Sequence, residues 1–446
     1  MFAQDRHPHS VETLHLIIHF MQAFFKAFFL ARFSLLRFAF LRPLRYPLRT
    51  MTNPLRFRDF PRPDYRGSNI LNLMSSIIRG RGGRSPHRPL AGLPPAALRP
   101  YKKVVLLLLD GLGSKQLHRF ILAGKSRKFL ALHPWQKLTT ACPATTAAVV
   151  TTLATGSSPA EHAILGWHLH LSDLGMDGTI LPFITRTDTP IATADFDLEK
   201  YLALPAPLAT IPGRRVLISQ GHIPTSRTSM AMPWWTERHA FENLDGMLRQ
   251  LRAFARSPGR AYAYAYWPDY DSHCHVHGPE GRVPALHLAE IDAFLARAQR
   301  ALAGTDTLLL VTADHGHMQT HTLVDLSKIS GFYDTLASLP SGDSRMAQCF
   351  VRPARAKEFL RLTRAAPLRG ACACVSHAEV LRSGVLGPGK PHPALKNRLG
   401  DYVLFAAPGH AFLYPAALAS GKHVKFGNHG GLSADELEVP LFVVHP

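Results

Sequence analysis

The sequence predicts an α/β protein whose core is a doubly wound, mostly parallel sheet, with an inserted small α+β subdomain or lid. Three observations carry this. KVVLLLLDGLG, from Lys103, and TLLLVTADHG, from Thr307, are continuous apolar runs of strand length that end in an acidic residue and a glycine. Runs apolar on both sides suit strands buried on both faces. Between them lie the strand-like AYAYAYW, from Ala261, and the helical pattern VPALHLAEIDAFLARAQRAL, from Val283. Strands alternating with helices build a parallel sheet, and ligands of such sheets sit beyond the carboxyl ends of the strands. Asp110 and Asp314 are therefore expected to face one crevice.

At 446 residues the chain exceeds one modest core, which predicts one large domain with smaller additions. Residues 1–50 form a basic, hydrophobic N-terminal segment. From His15 to Arg49 it alternates Phe/Leu clusters with single basic residues, and Lys26, Arg32 and Arg37 interrupt it. No uncharged run there reaches the ~18–20 residues of a spanning helix. The segment reads as a targeting peptide, as an interfacial helix that would bring residues 15–49 to a membrane surface, or as a stretch upstream of a true start at Met51. The third reading is preferred, because ordinary composition resumes at that methionine. Residues 51–100 are an extension ending in the Pro-rich linker PHRPLAGLPPAALRP. Residues 101–446 are the main domain. Within it, about 168–259 is expected to form a lid, with RVLIS its one clear strand. Residues 344–408 read as a β-α-loop-β subdomain: MAQCFVRP, AKEFLRLTR, GVLGPGKPHP and DYVLFAA.

Five cysteines make an odd count with no CxxC pair; this argues against a disulfide framework and for a reducing, cytoplasmic setting. The net charge of +20 suits an acidic partner such as nucleic acid, phosphate or an anionic membrane. The arginines are nevertheless spread along the chain, and GRGGR at Gly80–Arg84 is one short basic loop, so a nucleic-acid function is not favoured. GKS at Gly124–Ser126 lacks the earlier glycine of a P-loop, because Arg119 stands there.

The chemistry-bearing residues gather in a few stretches. In LTTACPATTAAVVTTLATG, Leu138–Gly156, small and β-branched residues follow a proline. This suits a strand-to-helix turn with hydroxyls at the helix start, where free N–H groups and the helix dipole favour an anion. DYDSHCHVHGP, Asp269–Pro279, holds three histidines and two further candidate ligands in aspartate; by itself it is as readily a solvated polar loop as a metal site. Asp110, Asp271, His275, Asp314, His315 and His429 together form a mixed carboxylate and imidazole set. Such ligands suit Zn²⁺, with Mn²⁺ or Fe²⁺ as alternatives. Two metals ~3.5–4 Å apart can clamp the attacking and leaving oxygens of phosphoryl transfer, a reaction in which a Thr hydroxyl would serve as nucleophile.

LLDGLG, PATTAAVVTTLATG, DSHCHVHGP, TADHG and GNHGG, in this order and spacing, resemble the alkaline phosphatase superfamily, in particular the type I phosphodiesterase / nucleotide pyrophosphatase family. The similarity runs from about Lys103 to the C-terminus. The resemblance implies one metal held by Asp271, His275 and His429, and a second held by Asp110, Asp314 and His315 with Thr146 bound as nucleophile. Thr146 lies three residues after Pro143 and nine before Thr155; Thr145 is the adjacent alternative. The family pattern D-x-x-x-H-x-x-G-P fits Asp271, His275, Gly278 and Pro279, which leaves Asp269, His273 and His277 outside the ligand set. One departure stands at Trp167, where many nucleotide pyrophosphatases place an asparagine that donates to a phosphate oxygen. Arg186, Arg227, Trp234 and Trp235 are candidates for substrate contact. His162, His168, His170, His317 and His423 are expected to be structural or surface residues. A sulfatase is disfavoured because Cys142 is followed directly by Pro143 with no arginine at the required place.

The expected function is thus a two-metal phosphohydrolase that cleaves phosphodiesters or phosphomonoesters of small substrates through a phospho-Thr intermediate. A phosphosugar mutase of the same superfamily is the near alternative. A non-catalytic protein binding membrane or nucleic acid through its basic surface is the alternative of another class.

Overall fold

The computed structural model describes residues 55–191, 195–413 and 425–446. The expectations for residues 1–50, and the start at Met51, lie outside the described residues. Among the described residues no helix is long and apolar enough to cross a membrane.

A seven-stranded sheet forms the centre, in the order Trp135–Thr139, Glu438–Val444, Thr307–Thr312, Lys103–Leu109, Ala261–Trp267, Arg214–Gln220, Glu237–Phe241. Lys103–Leu109 is its middle strand and is buried throughout. It runs parallel to Thr307–Thr312 on one side and to Ala261–Trp267 on the other. Arg214–Gln220 and Glu237–Phe241 continue the parallel array, and Glu438–Val444 enters antiparallel. The register sets Leu108 opposite Thr312 and Leu109 opposite Trp267. The chain segments that leave these three strands therefore emerge side by side at one edge of the sheet, as expected for Asp110 and Asp314.

The alternation in AYAYAYW is not amphipathicity, because every residue of that strand is buried. It matches two different neighbours, since successive side chains point to opposite faces. The face of Tyr262, Tyr264 and Tyr266 carries Trp235 stacked on Tyr262 and Tyr264. The small-residue face ends in Trp267, whose indole N–H donates to His287 of the long helix Arg282–Leu302. Bulk on one side and close helix approach on the other fix the strand between its layers.

A second sheet, antiparallel throughout, has the order Cys372–Ser376, Tyr402–Ala406, Met346–Cys349, Ser341–Asp343, His168–Leu171, Met176–Thr179, Ile184–Thr185. This redraws two expected boundaries. The stretch 168–259 is not one lid: its first part extends the second sheet, whereas Arg214–Gln220 and Glu237–Phe241 belong to the central sheet. Glu237–Phe241 is an edge strand with only Phe241 buried, so it lacks the apolar run that marks a central strand. Nor is 344–408 self-contained, because its strands continue through Ser341–Asp343 to His168–Leu171 at the pairing of Gly342 with His168.

Candidate metal centre

Each chemistry-bearing motif sits where a central element ends. Asp110 leaves the middle strand, and its backbone N–H donates to Trp267 O at 3.0 Å. Gly111 then turns the chain at φ +78°, and a Cβ there would meet His317 Nε2 at 2.8 Å, so the Asp-Gly pair is required on both counts. Asp314 and His315 follow the neighbouring strand; a Cβ on the next residue, Gly316, would fall 2.1 Å from Asp435 O. Thr146 opens the ten-residue helix Thr146–Thr155, with Thr145 as its N-cap. DYDSHCHVH is helical, Asp269–His277, rather than a loop. Residues four apart on a helix share one face, so Asp271 and His275 turn inward together. His273 faces away, its ring 4.8 Å from that of His287, and Asp269 accepts from Gln220.

Among the described residues three groups of ligand atoms lie close enough together to hold a metal ion: Asp110–Asp314–His315, Asp271–His275–His429 and Asp271–His315–His317; the first two are the expected sets. In the first, His315 Nε2 lies 3.1 Å from Thr146 Oγ1, 3.4 Å from Asp110 Oδ1 and 3.4 Å from Asp314 Oδ2. All four residues are buried. His315 Nδ1 is 3.1 Å from Gly316 O. A carbonyl only accepts, so Nδ1 carries the proton and Nε2 presents its lone pair to the cluster. Asp110 Oδ2 accepts from the Tyr266 hydroxyl, and Asp314 Oδ1 accepts from the N–H groups of Gly111 and His315. The other oxygens, Asp110 Oδ1 and Asp314 Oδ2, are buried without a hydrogen-bond partner. They are the two that flank His315 Nε2. Two orphaned carboxylate oxygens, an imidazole lone pair and a hydroxyl around one point fit a divalent cation.

In the second group, His275 Nε2 lies 3.2 Å from His429 Nε2 and 3.4 Å from Asp271 Oδ2, and His429 Nε2 lies 3.5 Å from Asp271 Oδ1. His275 Nδ1 donates to Gly427 O at 2.7 Å, which again leaves Nε2 bare. Burial holds His275 down to about pKa 3, so it stays neutral. The Lys425 ammonium donates to that same Nε2 at 3.0 Å: a cation already addresses the lone pair a metal would take. These donors also fit a divalent ion.

The electrostatics agree with this. Burial, followed by the neighbouring Asp314 and Asp271 carboxylates, pushes Asp110 well above the usual carboxylate range. Burial acts the same way on Asp271, but the His275, His317 and His429 imidazoles outweigh it and hold its carboxyl well below that range. Three carboxylates meeting in a buried site are neutralised by protons or by positive charge, and a divalent cation would supply the second.

The sequence reading missed one member. His317, expected to be structural, is buried at the centre, and its Nε2 donates to Asp271 Oδ1 at 2.8 Å. That proton aims Nε2 at the carboxylate, so His317 orients Asp271 in the manner of the outer partners of metal ligands. The spacing DHGH held the signal, since alternate residues of an extended segment return to one side. His162 instead bonds Thr152 and the Ile164 N–H, and His170 pairs with Asp177. Of the substrate-contact candidates, Arg186 bonds Pro340 O and lies 3.7 Å from Asp177, and the Trp234 indole donates to Ala154 O. These are structural ties. Trp235 and Trp167 border a cavity that reaches Thr146.

Residues 104–432 match the family model described as type I phosphodiesterase / nucleotide pyrophosphatase. The fold is similar to that of murine ectonucleotide pyrophosphatase / phosphodiesterase 5, at 16% identity and TM-score 0.56, covering 77% of this chain and 88% of that one. An inactive variant of the murine protein in complex with AMP aligns at 15% identity and TM-score 0.57, covering 76% and 87%. Phosphonoacetate hydrolase from Sinorhizobium meliloti 1021, in complex with phosphonoformate, aligns at 17% identity and TM-score 0.56, covering 78% and 90%. No curated protein matches the sequence. The chain belongs to the type I phosphodiesterase / nucleotide pyrophosphatase family, within the alkaline phosphatase superfamily, and is a phosphoric ester hydrolase.

Proposed function

We propose that this enzyme cleaves phosphate esters of small substrates with Thr146 as nucleophile, and that two divalent ions, zinc by ligand type, are held by Asp110, Asp314, His315 and Thr146 and by Asp271, His275 and His429. The observation that carries the reading is the position of Thr146 Oγ1, at a helix start and 3.1 Å from His315 Nε2 of the first ligand group. That contact favours Thr146 over Thr145.

When bound, the ions supply Lewis acidity that lowers the pKa of the Thr hydroxyl and stabilises charge on the entering and leaving oxygens. The chain's own residues do the rest. Thr146 Oγ attacks phosphorus, an Oγ–P bond forms, and the ester oxygen departs with its electron pair; water then hydrolyses the phospho-Thr ester and restores the hydroxyl. The N–H groups of Thr146, Ala147 and Ala148, in the first turn of their helix, have no intrahelical acceptor and are placed to receive phosphoryl oxygens. The Tyr266 hydroxyl and the Gly111 N–H hold Asp110 and Asp314 in place.

The test is hydrolysis of p-nitrophenyl phosphate and bis(p-nitrophenyl) phosphate by metal-loaded protein. Chelation is expected to abolish it, and Thr146→Ala to lower kcat by at least about 10³-fold with metal content retained. Activity that survives both treatments would overturn the assignment. The family match favours hydrolysis over the mutase alternative, and net phosphate release measures the difference.

A further inference from the structure

A cavity of about 310 Å³ opens directly from the nucleophile. One wall is a single face of the nucleophile helix: Thr146, Val150 and Ala154 line it at successive fourth positions, a reach of about 12 Å along the axis. The opposite wall is the tyrosine face of the central sheet. Register places Leu217 beside Tyr264 and Ser219 beside Tyr266, and all four line the cavity. Met232 and Trp235 close it, and Trp167 stands at its border with Leu181 and Pro182.

Among the described residues no Lys, Arg, Asp or Glu lines this space. Most of its polar side chains are already engaged: the Tyr266 hydroxyl donates to Asp110, Thr228 to Ile180 O, and Ser226 to Ser229. Two of the buried ones are not, since Ser219 Oγ and the Tyr264 hydroxyl have no hydrogen-bond partner, and His222 is an exposed polar member of the lining. Burial, reinforced by Asp314, keeps the Tyr264 phenol neutral. Ligand pockets commonly pair an apolar lining with a few such placed polar groups. A nucleoside would bury ribose hydroxyls and a base edge against this largely apolar lining, which opposes binding.

We infer that the organic group esterified to phosphorus is an uncharged, mainly apolar, ring-sized alcohol or phenol carrying at most one or two hydrogen-bonding atoms, seated between Val150 and Tyr264, rather than a nucleoside. The inference rests on Thr146 as the site of attack. Trp167, at the border of the cavity, then has a physical role as an apolar edge beside an apolar group.

The test reads binding and turnover separately. Intrinsic tryptophan fluorescence of the full-length, metal-loaded protein is titrated with methylphosphonate, phenylphosphonate, 1-naphthylphosphonate and 5′-AMP, with Trp235 and Trp167 as reporters. Phenylphosphonate is expected to bind at least about tenfold more tightly than methylphosphonate, from the apolar area it buries, and more tightly than 5′-AMP. Val150→Phe, which fills the slot, is expected to bring the phenyl-to-methyl ratio towards one. Val150→Met, a milder filling, is expected to lower it in the same direction should the larger side chain disturb folding, with circular dichroism as the control. Turnover compares phenyl, methyl and thymidine-5′ p-nitrophenyl phosphates, which share one leaving group. Equal binding of methyl and phenyl ligands, or tighter binding of 5′-AMP, overturns the pocket assignment. Selective phenyl binding without hydrolysis of any ester upholds the pocket and overturns the proposed reaction instead.

Discussion

Arg345 and Glu436, both fully buried, face each other as a fork: Nε lies 2.7 Å from Oε1 and Nη2 2.8 Å from Oε2. Glu436 also accepts from the N–H groups of Gly431 and Ser433 and from the Ser433 hydroxyl. Arg345 donates to the carbonyls of Ala407 and His410. The pair therefore fastens the loop just after His429 to the second sheet, and both Glu436 oxygens and all three Arg345 nitrogens take part.

Removing one partner of such a pair leaves a buried charge without compensation, at a cost of about 3–5 kcal/mol. Arg345→Met is expected to lower stability by that order, read from urea unfolding, and to loosen metal at His429, read from metal titration. A variant of unchanged stability and metal affinity would mean that the fork is incidental.

The same pair predicts an acid limit. Burial raises the Glu436 pKa, but the Arg345 guanidinium and the Ser433 and Gly431 donors outweigh it and hold it below its ordinary value. A folded-state pKa below the unfolded one contributes stability that is fully present above the unfolded value and lost as pH falls through the folded one. Unfolding free energy is thus expected to fall as pH drops below about 4.3, the ordinary glutamate value, and Glu436→Gln is expected to flatten that part of the profile. An unaltered slope would contradict the assignment.

His317 and His273 separate orientation from mere proximity. His317→Ala removes the donor that fixes Asp271 and is expected to weaken metal binding by about 10–100-fold, whereas His273→Ala, on the far side of the helix, is expected to change it little. Loss of a full metal equivalent from the His273 variant would put the wrong face of the helix in the site.

Asp314→Asn and Asp271→Asn are each expected to lose one metal equivalent of two, measured by elemental analysis of the folded protein. Both groups depend on separate ligand atoms, so a variant that releases both metals would show one shared site instead.

Trp167→Asn places a side-chain amide at the border of the cavity that reaches Thr146, where the family resemblance implies a phosphate donor. One hydrogen bond of ordinary strength predicts a rise of up to about tenfold in kcat/KM for nucleotide diesters. The Trp167 backbone N–H, which donates to Asp343, is unaffected by the change. A fall for nucleotide and aryl esters alike would show that the indole is needed for the fold of the rim.

Much of this was legible from local pattern. The runs ending at Asp110 and Asp314 are apolar on every residue because both faces of their strands are covered, and such runs announce central parallel strands without further context. The Asp271–His275 spacing is one helical turn, and the ordered motifs sufficed to indicate the family. Edge strand Glu237–Phe241 was not legible, because a strand covered on few sides carries no apolar run.

What the sequence by itself determined was which residue types stand at the ends of which elements. The tertiary structure decided what those ends meet. Only parallel register places Leu109 beside Trp267, and only the approach of the glycines lets His317 reach Asp271. The cavity beside Thr146 depends on a helix face and a sheet face separated by about a hundred residues of chain, and Arg345 reaches Glu436 across 91 residues. Periodicity records the neighbours of a residue within its own helix or strand. Contacts between elements depend on crossings and loop closure, which leave no period in the sequence to read.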